Sequence, residues 1–166
     1  LLHDLGKMKV PDEVLNKPGR LTDAEFELIK RHPGDGHAVL LETPGIEAVP
    51  LDITRHHHER LDGSGYPDRL AGDAISPMAR MAAIVDVYDA ITADRCYHKG
   101  MPAAEALRKM WEWSAAHFDQ KLLQALKDQT DVSRTRKAVR AGVLDPFRSP
   151  PLLGQRPVLA VFGAEA

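Results

Sequence analysis

The sequence predicts an all-α protein. Apolar residues recur at three- and four-residue spacing, most clearly at Met81, Ile84, Val85, Tyr88 and Ile91. Helix-start residues precede such stretches, with Thr22, Ser76 and Asp119 placed as N-caps. No stretch shows the sustained alternation of a half-buried strand. With 166 residues, the expectation is one bundle of helices around a shared core.

The first expected helix covers Ala24 to Arg31. Thr22 and Glu25 have the spacing of a capping box, and Phe26, Leu28 and Ile29 supply the apolar side. Pro33 and Gly34 are expected to interrupt it, with a second short helix over Asp35 to Glu42. Thr43-Pro44-Gly45 reads as a loop. A helix starting near Ile46 or Pro50 carries Ile53 and ends near His56-His57-His58. The glycines and prolines between Asp62 and Pro77 predict a long loop. Ser76-Pro77 supplies the N-cap and first residue of the strongest helix. Pro102 opens another, with Leu107, Met110, Trp111 and Ser114 on one side. Asp119 caps a last helix bearing Leu122, Leu123 and Leu126. From about Asp131 the prolines and arginines are scattered without period, so residues 1–128 are assigned to the folded domain and 129–166 to an irregular C-terminal tail.

Composition narrows the function classes. Hydrophobic residues make up 43% and charged residues 28%, a globular balance. A net charge of -2 gives no global field for a nucleic acid polymer, although local clusters can meet phosphate. The single cysteine, Cys96, excludes an internal disulfide framework and fits a reducing compartment, the cytoplasm. No apolar run approaches the roughly 18 residues of a membrane span. The opening Leu1-Leu2-His3-Asp4 is neither a signal peptide nor a start with methionine, so a piece of a longer protein is expected.

Five places carry chemistry. His3-Asp4-Leu5-Gly6-Lys7 offers an imidazole, a carboxylate able to bridge cations, a glycine that permits close backbone packing, and a mobile ammonium. His32 stands alone before Pro33. The run His56-His57-His58 is internal and lies at a helix end, unlike a purification tag; it is either a ligand cluster or a solvated terminus. Glu59 and Asp62 could orient its rings. Asp86 borders a buried helix face, where a carboxylate needs a partner or a metal. Asp89, one turn on, could cap, pair or ligate. Asp94-Arg95-Cys96-Tyr97-His98-Lys99 is a short basic cluster suited to phosphate oxygens. Each is an ordinary surface feature by itself. Their order, with nitrogen and oxygen donors and no thiolate, suits two borderline or hard cations sharing a site.

The segments HDLGK, KPGRLTDAEFELIKRHP, HHERLDGSGYP and AAIVDVYDAITADRCYHK resemble the HD-GYP branch of the HD metal-dependent phosphohydrolases, and HFDQKLLQAL resembles its closing segment. The resemblance runs from residue 1 to about residue 127 and makes residues 1–128 the HD-GYP catalytic domain. It implies an HD-domain helical bundle with a long GYP loop, divalent iron or manganese, and hydrolysis of the bacterial messenger cyclic di-GMP to pGpG and then GMP. It implies His3, Asp4, His32, His57, His58 and Asp86 as metal ligands, with Asp4 as the bridge and His56 outside the set. Asp4 and Lys7 are the implied catalytic residues. Lys7, Asp62, Gly65, Tyr66, Pro67, Arg95 and His98 are the implied substrate-binding residues. The implied chemistry is in-line attack of a metal-activated water on phosphorus, with a ribose 3′-oxygen leaving. The implied partners are cyclic di-GMP synthase domains at the GYP loop and an N-terminal receiver or sensor domain.

The departures are specific. The family's helix before HDLGK, which supplies extra ligands for a third metal, is absent here, so the bundle is read as N-terminally truncated with two metals expected. Cys96 stands where a proline is common, and His98 where Arg or Lys is usual. The alternatives are a phosphohydrolase of another nucleotide and a non-catalytic module that binds a ligand or partner.

Overall fold

The computed structural model describes residues 2–94 and 99–130. A 3-10 segment, Leu2–Lys9, leads into α1 (Asp12–Leu15), α2 (Asp23–Ile29), α3 (His32–Leu41) and α4 (Ala48–His56). After the long loop and a 3-10 turn at Gly72–Ala74 come α5 (Pro77–Thr92), α6 (Ala103–His117) and α7 (Gln120–Thr130). Among the described residues there is no strand, only an isolated bridge between Asp62 and Ala71. Among the described residues no helix is long and apolar enough to cross a membrane.

The helix starts follow from their caps. Thr22 accepts the Glu25 amide N–H at 3.3 Å while the Glu25 carboxylate accepts the Thr22 amide N–H at 2.7 Å, the reciprocal pair of a capping box. The Ser76 hydroxyl accepts the Ala79 amide at 3.0 Å and Pro77 follows at the first helical position. Asp119 accepts from the amides of Lys121 and Leu122 at 3.0 and 3.3 Å.

Three expectations are corrected. Pro33 and Gly34 do not separate two helices; α3 begins at His32 and includes both. A proline in the first turn has no amide that needs a partner, so it starts the helix instead of breaking it. The buried face of α5 is also rotated from the expected one. Ala79, Ala83, Ile84, Val87, Ala90 and Ile91 are buried, while Met81 and Val85 are exposed. Small alanines permit close approach, so the core face is less conspicuous in sequence than the outward methionine and valine. On α6, Ala106, Leu107, Met110 and Ser114 are buried and Trp111 is exposed, for the same reason.

The molecule is organised around two regions. Ile84, Val87 and Ile91 pack with Ala106, Leu107, Met110, Phe118 and Leu123, making the apolar core of α5, α6 and α7. The opening segment lies against α3 and α4. Gly6 sets that contact: a Cβ there would stand 2.0 Å from the His32 carbonyl oxygen and 2.5 Å from the Gly36 nitrogen. Only a bare backbone brings His3 and Asp4 so close to α3.

Candidate metal centre

Four separate elements deliver the clustered side chains. His3, Asp4 and Lys7 come from the 3-10 segment, His32 from the first residue of α3, His57 and His58 from the end of α4, and Asp86 from α5. The His32, His57 and His58 ligand atoms lie within 4.8 Å of one another, as do those of His3, Asp4 and His57. His57 belongs to both groups. His3 Nε2 lies 3.5 Å from Asp86 Oδ1 and 3.7 Å from Asp4 Oδ2.

Backbone carbonyls determine the tautomers. His32 Nδ1 is 2.8 Å from the Ile29 carbonyl oxygen, and His57 Nδ1 is 3.0 Å from that of Thr54. A carbonyl only accepts, so each Nδ1 carries the proton and each Nε2 presents a lone pair. These two Nε2 atoms face one another at 3.2 Å. Asp4 Oδ1 stands 3.5 Å from one and 3.9 Å from the other, buried and without a hydrogen-bond partner. Three lone-pair atoms thus converge on one point, which repels unless a cation fills it.

Electrostatics support that reading. Burial, helped by the Lys7 charge and by His57, pushes the pKa of His32 down to about 3. Burial and the neighbouring His3 push His57 down to about 4. His58 is held well below the usual histidine range by burial and by His57. All three are therefore neutral near pH 7, the form that ligates. Burial pushes the Asp4 carboxyl up, but Lys7, at 2.8 Å, together with His3 and His32, outweighs it and leaves the pKa at about 2. Asp86 is likewise opposed by burial and lowered by its hydrogen bond to His3. Buried nitrogen and oxygen donors, an unpartnered carboxylate oxygen and neutral imidazoles fit divalent cations.

The remaining expected residues divide. Tyr66 joins the cluster: its ring stacks on His58 at 4.8 Å and 27°, and its hydroxyl is buried without a partner. Burial, then Asp86 and Asp4, push its pKa up, which keeps the phenol protonated as a donor. Gly65 and Pro67 flank it on a groove beside α2. Asp62 does not face the cluster; it accepts from the amide and hydroxyl of Ser64 at 2.9 and 2.6 Å. Arg95 and His98 lie outside the described residues. Asp89 is exposed.

Among the described residues neither Glu59 nor Asp62 bonds the His57 or His58 ring, as the sequence had suggested they could; main-chain carbonyls orient His32 and His57. Glu59 instead accepts the amides of Asp68 and Leu70 at 2.7 and 3.0 Å. His56 turns away from the cluster, with Nδ1 2.8 Å from Asp52 and Nε2 3.1 Å from Asp68. Asp68 also holds Arg55 through two bonds of 2.6 and 2.7 Å. This clamp was missed because its partners are 12 to 13 residues apart across an irregular loop. No helical or strand period marks such a pairing.

The HD domain family matches residues 1–122. A cyclic di-GMP phosphodiesterase of Pseudomonas aeruginosa is 57% identical over 125 residues, which cover 75% of this chain and 30% of that protein. A 3'3'-cGAMP-specific phosphodiesterase of Vibrio cholerae is 37% identical over 131 residues, covering 78% of this chain and 25% of the relative. The chain thus spans a third or less of the length of these curated relatives. A solved HDG"Y"P protein from Bdellovibrio bacteriovorus shares the fold, with a TM-score of 0.62 and 23% identity across 78% of this chain and 41% of that one.

Proposed function

From the premise that this chain belongs to the HD domain family and carries the HD-GYP signature at Gly65-Tyr66-Pro67, we propose that it is a metal-dependent phosphodiesterase opening cyclic di-GMP to linear pGpG, with GMP as the product of a second cleavage. The observation that carries this reading is the convergence of His32 Nε2, His57 Nε2 and the unpartnered Asp4 Oδ1. Cyclic di-GMP is favoured over 3'3'-cGAMP because the relative named for it is 57% identical, against 37%.

His3, Asp4, His32, His57, His58 and Asp86 would hold two divalent ions; the nitrogen and oxygen donor set suits iron or manganese. Bound there, such ions supply water activation near neutral pH and charge stabilisation at a phosphoryl oxygen. Lys7 now pairs with Asp4, and its ammonium can reorient to a substrate phosphate once other positive charge satisfies that carboxylate. The Tyr66 hydroxyl is a protonated donor in a water-poor setting, suited to orienting a phosphate or ribose oxygen. The main-chain carbonyls behind His32 and His57 fix the rings so that Nε2 faces inward.

The test is metal content by mass spectrometry on anaerobically purified protein, with cyclic di-GMP and 3'3'-cGAMP turnover measured on the same sample. About two ions per chain are expected, with pGpG formed and cyclic di-GMP preferred. Asp4→Ala should lose both metal and turnover. A folded chain that binds no divalent metal would overturn the proposal.

A further inference from the structure

Beside the metal centre, a cavity of about 600 Å³ opens between α2 and the glycine-rich loop. That volume lies in the range of small-molecule sites. Phe26, Lys30 and Arg31 line one wall, and Gly65, Tyr66 and Arg69 another. Tyr66 is shared with the metal centre. Its ring stacks on His58 and also meets Phe26 edge-on, with centroids 6.5 Å apart at 87°.

The lining is cationic. Lys30, Arg31, Arg60 and Arg69 face it against a single acid, Glu27. Glu27 is engaged by Lys30, which also lies 5.0 Å over the Phe26 ring. Arg31 and Arg69 have no ion pair among the described residues.

Arg69 is held in an unusual way. Its φ is +54°, the left-handed region that side chains disfavour. The residues on both sides are fixed. The Glu59 carboxylate, in a residue only 3% exposed, accepts the amides of Asp68 and Leu70. The Asp68 carboxylate is itself held by Arg55 and His56. Glycine or asparagine would adopt this turn with less strain. The surrounding bonds therefore maintain a strained turn that presents a guanidinium to the groove.

We propose that this groove receives the half of the cyclic dinucleotide that is not being cut, with Arg69 and Arg31 meeting its phosphate and the Phe26 and Tyr66 rings bordering its base. Unpaired guanidiniums beside aromatic rings are suited to nucleotide recognition. Tyr66 separates this half from the phosphate at the metal centre. The inference rests on the proposed substrate, and it adds which residues set selectivity for a dinucleotide over a small phosphodiester.

The experiment is equilibrium binding of cyclic di-GMP to the full chain in chelator, by calorimetry, for wild type, Arg69→Gly and Arg69→Lys. Glycine suits the left-handed backbone, so Arg69→Gly removes the charge without breaking the turn. Loss of one charge-assisted contact should weaken binding roughly tenfold or more, with part of the affinity retained in Arg69→Lys. In the metal-loaded protein, selectivity for cyclic di-GMP over bis(p-nitrophenyl) phosphate should fall by a similar factor. Equal affinity of wild type and Arg69→Gly, an equal loss on both substrates, or no binding by wild type would overturn the groove assignment. Cyclic di-GMP that binds through Arg69 but is not cleaved by the metal-loaded chain would overturn the phosphodiesterase reading and leave the groove standing.

Discussion

Acidification of the metal-free protein should destabilise it through its buried histidines. His32 and His57 are 0% and 1% exposed, and their folded pKa values are about 3 and about 4 against an ordinary 6.5. A histidine lowered in the fold takes up its proton in the unfolded chain first. Stability is therefore fully present above the unfolded value and falls as pH drops below it. At about pH 5 each ring sits roughly 1.5 units below its unfolded value, a loss of about 2 kcal/mol apiece and about 4 kcal/mol together. That is a large part of the 5–15 kcal/mol of a typical domain. Asp4, lowered to about 2, contributes stability that is present above its ordinary 3.8 and lost only below it, so it is silent in this window. The assay is urea unfolding in chelator at about pH 7.5 and about pH 5, comparing wild type with the His32→Gln, His57→Gln double variant. The two rings face each other at 3.2 Å, so their protonations are linked and the double variant carries the test. His58, lowered chiefly by burial, stays in both proteins, so most of its contribution cancels. The wild type should lose about 4 kcal/mol more than the variant between the two conditions. Equal pH dependence would refute the assignment of neutral, buried imidazoles.

Two further outcomes test how the site is positioned. Gly6→Ala puts a Cβ 2.0 Å from the His32 carbonyl oxygen, so the opening segment must move off α3. Metal content should fall sharply while helical circular dichroism is largely kept, with a stability loss of about 1–3 kcal/mol. Asp68→Asn removes the charge that holds Arg55 and His56. These groups are about one-third exposed or less, so the cost in stability should be about 1 kcal/mol or below. Amide hydrogen exchange at Leu70 should nonetheless quicken, because the turn that presents Arg69 loses one of its two anchors.

The starts of α2, α5 and α7 were legible because their caps are local. Thr22 with Glu25, Ser76 with Pro77, and Asp119 each act within three residues, and each acts as its spacing implies. The all-α class was equally readable, and so was the ordered set of histidines and aspartates that the fold brings together. What sequence hid was rotation and distance. Alanines at 79, 83 and 90 made the core face of α5 look weaker than the exposed Met81 and Val85. The main-chain carbonyls that select the histidine tautomers carry no residue-type signal at all. The Asp68 clamp and the groove depend on a loop whose path only three-dimensional contacts define.

The histidine triplet shows why these regions act together. α4 ends at His56, and His57 follows as its C-cap with φ -66° and ψ -10°. At that helix end three consecutive side chains take different directions. His56 reaches Asp52 on its own helix and Asp68 in the loop, whereas His57 and His58 enter the cluster. Glu59 then holds the same loop from beneath. Gly65 lets the loop return over this corner, since a Cβ there would lie 2.5 Å from the Arg60 nitrogen and the Glu59 Cα. Four successive residues, 56–59, thus anchor both ligands and loop. A shift of this corner large enough to misplace a histidine would also displace Tyr66 and Arg69. The histidine cluster and the groove are therefore expected to respond as one unit, with changes in the loop read out at the histidines and changes at the histidines read out in the loop.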